Sequence, residues 1–393
     1  MVLLIAAGGA AGILLIEIGL RAAGLSYPYF YVPDPILGYA HQPGAEGWWR
    51  KEGAAYVRIS RAGFRDREHT REKPKGVFRI AVLGDSFTEA LQVPIEQTYW
   101  AIAEGKLKDC PSLDHRGVEV LNFGVSGYGT AQEWLMLQHK VWDYAPDLIV
   151  LAFFTGNDIR DNSPALAGDS MRPYFVMHDG RLSVETGFRQ TLAYRMQSIP
   201  LASELFEVSR VLQVAREAKY RISGFMRDRH LRAGSSSDAG MAQLPLESFV
   251  YLEPREDAWR QAWLVTEALL GDIRNEIDRH GAQFLLVTLS NPMQVHPDLR
   301  QRRHYAETLG IPDLLYPDRR LASWAEREHV QWTGLAEPMA AYAATHQTFL
   351  HGFPNASMGD GHWNEEGHRV ASGLMAEKVC SMQTSVRDSA RAA

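Results

Sequence analysis

Apolar positions along this chain gather into short unbroken blocks, separated by longer stretches where they recur every three or four residues. The blocks at 78–84, 118–123, 147–155 and 283–289 are rich in Val, Ile, Leu and Phe, with a weaker one at 329–333. Blocks this short and β-branched predict strands buried on both faces. The stretches 97–108, 130–142, 256–280 and 318–328, and a last one at 365–379, carry the helical spacing instead. Strand and helix alternate. That predicts an α/β fold with a doubly wound, mostly parallel five-stranded sheet, flanked by helices and joined by right-handed crossovers.

Three regions depart from this rhythm. From Val2 to Leu20 the chain is apolar or glycine except for Glu17, and Arg21 closes the run. As a helix it would measure roughly 28 Å, enough to cross a bilayer. Residues 1–21 are therefore expected to be a membrane anchor, with a cleaved signal segment or a buried helix as the other readings. No Lys or Arg precedes the run, so charge does not orient it. Residues 22–77 form a neck rich in Gly, Pro and aromatics, including Tyr27-Pro28-Tyr29-Phe30-Tyr31 and Trp48-Trp49. A short strand is expected at 57–60, before Gly63-Phe64-Arg65-Asp66. The core domain is expected over 78–380, interrupted by a helical insertion at about 160–255 and followed by a tail at 381–393. Within the insertion, 188–232 holds nine Lys or Arg against four Asp or Glu, and 233–237 reads as a linker. The basic stretch is either a solvated helical face or a surface for acidic polysaccharide or anionic lipid.

The chemistry sits at the ends of the predicted strands. Gly84-Asp85-Ser86 stops the first of them, placing a serine where α/β folds carry their active sites. Asn122-Phe123-Gly124-Val125-Ser126-Gly127 follows the second strand, and Thr155-Gly156-Asn157-Asp158 the third. Near the C-terminus lies Gly359-Asp360-Gly361-His362-Trp363-Asn364. A serine hydroxyl is a poor nucleophile until a base takes its proton. His362 is the candidate base, held ahead of a helix that Asn364 would cap. Asp360 is a candidate to orient the imidazole, or else a plain turn residue. His351 is a weaker participant, and His368 reads as packing.

The ordered set resembles the SGNH (GDSL-type) esterase and acetyl-transfer superfamily, over about 78–160 and 283–380. The resemblance implies a flavodoxin-like sheet with Ser86 as nucleophile, His362 as base and Asp360 as the orienting acid. It implies an oxyanion hole made by the backbone N–H groups of Ser86 and Gly127 and the side-chain amide of Asn157. Gly127 fits the family glycine better than Gly124, and Asp158 would brace the Asn157 loop. The spacing Asp-x-His is shorter than the Asp-x-x-His of many relatives. The neck and the C-terminal motif look most like membrane-anchored members linked to bacterial exopolysaccharides. That implies an acylated polysaccharide or oligosaccharide as substrate, polysaccharide-assembly proteins as partners, no cofactor, and a catalytic domain outside the cytoplasmic membrane. Water as acceptor makes such an enzyme a hydrolase; a sugar hydroxyl makes it an O-acetyltransferase. A non-catalytic glycan-binding or assembly protein and a lipase are the readings from other classes.

Composition narrows this further. A net charge of −6 offers no electrostatic case for nucleic acid. The fourteen His are dispersed without HExxH or CxxC spacing, so no metal site is expected. Two cysteines, Cys110 and Cys380, are too few for a disulfide framework. They follow the first core helix and end the last one, so they are either two separate thiols or one bridge between neighbouring helices.

Overall fold

A computed structural model describes residues 1–24, 26–113, 116–199, 208–218 and 246–392. The neck forms two antiparallel hairpins, β1 (Tyr31–Asp34) with β2 (Gly38–His41) and β3 (Glu46–Trp49) with β4 (Ala55–Arg58). The first core strands are β5 (Val77–Gly84), β6 (Gly117–Asn122) and β7 (Leu148–Phe154). A third hairpin, β8 (Tyr174–His178) with β9 (Arg181–Glu185), precedes the last two core strands, β10 (Gln283–Leu289) and β11 (Gln331–Gly334).

The core sheet runs β11-β10-β7-β5-β6, with every neighbouring pair parallel. In chain order, read from β6, that is 2-1-3-4-5, the doubly wound flavodoxin-like order. Side chains alternate across the sheet. On one face Ala81 and Leu83 of β5 join a core with Leu137 of the helix Thr130–His139 and with Trp263, Leu270 and Ile277 of the helix Asp257–Arg279. On the other, Ile80 and Val82 pack with Trp100 of the helix Tyr99–Leu107, Met339 of the helix Ala336–His346 and Met375 of the helix Glu365–Ala392. These side chains are buried to within a few per cent, and each Leu, Ile, Val or Met among them contributes about 1.5–3 kcal/mol relative to exposure. Burial on both faces explains why the strands read as continuous apolar runs. The order also opens a crevice between the ends of β5 and β7, where the connections leave in opposite directions.

The N-terminal run forms a helix, Val2–Ala22. Among the described residues no helix is long and apolar enough to cross a membrane. Within this helix Glu17 points at protein. The Glu17 carboxylate accepts the backbone N–H groups of Arg210 and Val211, at 3.0 Å each, and the hydroxyl of Ser209.

The expected helical insertion contains the β8–β9 hairpin. Its turn is Asp179-Gly180, with φ of +48° and +76°, a pairing that suits a two-residue hairpin loop. The basic stretch 188–232 lies only partly within the described residues, and the linker at 233–237 lies outside them.

The helices Tyr99–Leu107 and Glu365–Ala392 run side by side, and just past their contact Cys110 and Cys380 form a disulfide with Cα atoms 5.8 Å apart. The bond closes a loop of 270 residues, so the chain-entropy model gives on the order of 5 kcal/mol as an upper bound to its effect. Replacing both cysteines by serine is expected to lower the urea midpoint markedly without changing far-UV circular dichroism; an unchanged midpoint would show that the bond does not constrain the unfolded chain.

Candidate active site

β5 ends at Gly84, and Asp85 starts a short helix, Ser86–Glu89, by accepting the N–H of Phe87 at 2.9 Å. This turn presents Ser86 half-buried at the sheet's C-terminal edge. The Nε2 of His362 lies 2.8 Å from the Ser86 Oγ. On the other side of the ring, Nδ1 is 2.5 Å from Glu52 Oε2, and the backbone N–H of His362 donates to Glu52 Oε1 at 2.7 Å. With Nδ1–H committed to the carboxylate, Nε2 is left with a lone pair aimed at the serine hydroxyl. Burial pushes the Glu52 carboxyl up, but its hydrogen bonds to His362 and the imidazole's charge outweigh that and hold it below its ordinary value.

Glu52 comes from the turn between β3 and β4, far from the motifs that flagged the site. Trp49 holds that turn by donating its Nε1–H to the Glu52 carbonyl at 2.9 Å. Asn355 clamps the next residue from the opposite side: its Oδ1 accepts the N–H of Gly53 at 3.0 Å and its Nδ2–H donates to the Gly53 carbonyl at 2.8 Å. Gly361 makes the approach possible. It has φ +72°, and a Cβ there would lie 2.2 Å from Glu52 Oε1. His351 supports the same loop by donating from Nδ1 to the Gly361 carbonyl at 2.8 Å. Burial lowers the His351 pKa to about 3, so this ring is neutral and structural. Asn364 caps the last helix as expected, its Oδ1 accepting the N–H of Gly367 at 3.0 Å. His368 is buried beneath it, stacked on Tyr99.

The expectation for Asp360 is corrected. Its carboxylate accepts the N–H of its own neighbour Gly361 at 2.8 Å and is exposed, while Glu52 occupies both donors on His362. Gly359 and Gly361 both have positive φ, and the turn they make carries Asp360 outward.

Asn157 stands at the end of β7, across the crevice from Ser86. Its Nδ2 donates to Asp85 Oδ2 at 3.1 Å, which brings the amide to the nucleophile turn; no other hydrogen bond of that NH₂ group is made among the described residues. Asp158 braces the loop by accepting the N–H of Phe154 at 2.8 Å. The two glycines of the second motif separate by role. A Cβ at Gly124 would lie 2.6 Å from the Thr88 side chain, so Gly124 allows close packing, whereas Gly127 has φ +77° in the loop itself.

A residue that sequence reasoning missed ties these parts together. Glu89, fully buried one turn beyond Ser86, accepts the N–H of Ser126 at 2.8 Å and the Ser126 hydroxyl. It also accepts the Tyr31 hydroxyl at 2.8 Å and lies 2.5 Å from His41 Nε2. One carboxylate thus joins the nucleophile helix to the Gly127 loop and to β1 and β2 of the neck.

Behind the nucleophile turn three carboxyls are buried together. Burial raises Asp85 to about 6, and burial with mutual repulsion holds Asp158 and Glu133 well above the ordinary range. Neither oxygen of Glu133 has a partner among the described residues. Glu133 therefore holds its proton to a higher pH than a free glutamate does. No group of three or more His, Cys, Asp or Glu is placed to hold a metal ion among the described residues.

No protein-family model and no curated protein matches the sequence. Among solved structures the chain is similar to an acetyl xylan esterase, at 12% identity over 78% of this chain and 99% of that one, with a TM-score of 0.36. An acetylxylan esterase variant from Geobacillus stearothermophilus shares 16% identity over 77% and 94%, with a TM-score of 0.37. A protein described as lipolytic, of the G-D-S-L family, from Desulfitobacterium hafniense shares 9% over 76% and 98%, with a TM-score of 0.33. Likeness at this level carries no weight beside the site's own geometry.

The geometry sets the two acids apart. Glu52→Gln keeps the shape but loses the charge that supports the imidazolium, so turnover of an activated ester is expected to fall by about 10³–10⁴-fold. Asp360→Ala should stay within about two-fold of the parent chain, and the reverse order of severity would return the role to Asp360.

Glu133 gives a pH signature. Its raised folded-state pKa means that the native protein holds a proton the unfolded chain has lost, so stability falls as pH climbs above the ordinary Glu range near 4.5. Melting temperatures of the parent chain and Glu133→Gln, followed from pH 5 to 9, are expected to diverge in favour of the variant as pH rises. Parallel curves would mean that Glu133 ionises without cost.

Proposed function

We propose that the protein is a serine-dependent acyl-ester hydrolase that acts on O-acetylated carbohydrate outside the cytoplasm. The observation that carries this is the line from Ser86 Oγ through His362 to Glu52, with successive contacts of 2.8 and 2.5 Å. His362 takes the hydroxyl proton as Ser86 attacks the acyl carbonyl, and Glu52 stabilises the imidazolium that forms. The charge developing on the carbonyl oxygen is met by the N–H groups of Ser86 and Gly127 and by the Asn157 amide, which Asp85 orients. His362 then protonates the leaving alcohol. In the second half, His362 activates a water that attacks the acyl group on Ser86 and releases the acid.

Hydrolysis is favoured over transfer to a sugar hydroxyl because the His362 side chain is 26% exposed and that of Glu52 17%, so water reaches the base. The carbohydrate part of the reading is supported by the resemblance of the ordered motifs. The disulfide supports an extracytoplasmic location, since such bonds persist in oxidising compartments.

The test is acetate release from p-nitrophenyl acetate and from acetylated polysaccharide, with and without a deacetylated sugar acceptor. Ser86→Ala is expected to abolish both, and a fluorophosphonate probe is expected to label only the parent chain, at Ser86. Activity retained in Ser86→Ala would overturn the nucleophile, and acetate passing to the sugar in preference to water would make the enzyme a transferase.

A further inference from the structure

We infer that the neck builds a binding site for a neutral saccharide beside the triad, in a cavity of about 680 Å³ between the neck and the insertion. This rests on the esterase reading and names where the sugar part of the ester sits. The cavity borders both halves of the machinery. Lys51, in its wall, directly precedes Glu52, and Ser126 directly precedes Gly127. A ligand lodged here touches the loop that carries Gly127 and the residue that precedes Glu52.

The lining selects the ligand chemistry. Tyr29, Tyr31, Tyr39, Trp48 and Trp49 supply ring surfaces in several orientations, with Tyr29 and Tyr39 tilted by 74° and 88° to Tyr31 between them. Flat aromatic faces suit the C–H faces of sugar rings, while interspersed polar groups take hydroxyls. A hydrocarbon tail is disfavoured, because Arg50, Lys51, Asp169, Arg216 and Glu217 also line the space and would lose water on its entry. The charged groups are already engaged. Lys51 pairs with Glu217 at 2.7 Å, and Asp169 with Arg172 at 3.5 Å. Arg50 lies over the Trp48 ring at 4.8 Å and Arg216 over Tyr29 at 4.2 Å. Charges matched within the wall favour a neutral sugar over an anionic one.

Trp48 and Tyr29 are the residues to change, since among the described residues no hydrogen bond, ion pair or ring contact joins either of them to Ser86, His362, Glu52 or Glu89. On the best of a panel of acetylated gluco-, manno- and xylo-oligosaccharides, Trp48→Ala and Tyr29→Ala are expected to raise KM about ten-fold or more. Their kcat/KM on p-nitrophenyl acetate should stay within about two-fold of the parent chain. Binding of the same oligosaccharides to Ser86→Ala, followed by tryptophan fluorescence, should weaken equally when Trp48 or Tyr29 is also replaced. Unchanged KM in both variants, or no binding of any panel member to Ser86→Ala, would overturn the site; tighter binding of an acetylated uronate oligomer would overturn its neutral preference. Failure of the esterase reading is read separately, as a parent chain that does not hydrolyse p-nitrophenyl acetate although the oligosaccharides bind.

Discussion

The Glu52–His362 contact is the constraint on which the site depends. It crosses 310 positions of sequence and joins the neck to the last loop before the C-terminal helix. A carboxylate half-buried beside an aromatic wall loses hydration, and what repays it is two hydrogen bonds from a single residue. Everything around the pair serves to keep that geometry. Trp49 and Asn355 grip the Glu52 turn, His351 props the Gly361 carbonyl, and Gly361 removes the one atom that would push the carboxylate away. The base is thus set by contacts from the neck and from the C-terminal end of the core domain.

That makes the neck part of the active site rather than a spacer. β3 and β4 exist, in functional terms, to hold the turn that carries Glu52, and β1 and β2 deliver Tyr31 and His41 to Glu89. Glu89 in turn lies on the helix that begins with Ser86 and holds the loop that contains Gly127. Two buried or half-buried carboxylates, one for the base and one for the oxyanion loop, therefore fasten the same element to the core. The wall of the saccharide cavity is made from the same hairpins, which is economical: the segment that completes the triad also shapes the space beside it.

The buried Asp85, Glu133 and Asp158 show the opposite solution to a similar problem. These carboxyls have too few donors to stay ionised together, so burial and repulsion push their pKa values up. Asp85 nonetheless accepts from the Phe87 N–H and from Asn157, so the acid beside the nucleophile orients two groups at once. Its part in the site is to hold the turn and the amide, as its position in Gly-Asp-Ser suggests.

The strands of the sheet and the positions of three candidate site residues were legible in the sequence because each depends on local information, while the strand order was only what the family resemblance implied. A strand buried on both faces must be a continuous apolar run, and a parallel α/β sheet puts its chemistry where such runs stop. Ser86 and Asn157 stand where such runs stop, and His362 stands just ahead of a helix that Asn364 caps. Asp179-Gly180 carried a clear local hairpin signal that the helical reading of the insertion passed over. Glu52 had no such signal: it is one acid in a Gly-rich, aromatic neck with no periodicity to place it. Asp360 was the natural candidate by proximity, yet two residues along a chain say little once positive-φ glycines on either side of Asp360 turn the backbone. The disulfide was open for the same reason, since Cys110 and Cys380 meet only if two helices from opposite ends of the chain share a face. Strands and strand-end residues were determined by the sequence itself, through burial and backbone preference. The acid of the triad, the pairing of the cysteines and the walls of the cavity were decided by tertiary structure, because each is a contact between distant segments whose geometry exists only after the neck has packed against the core.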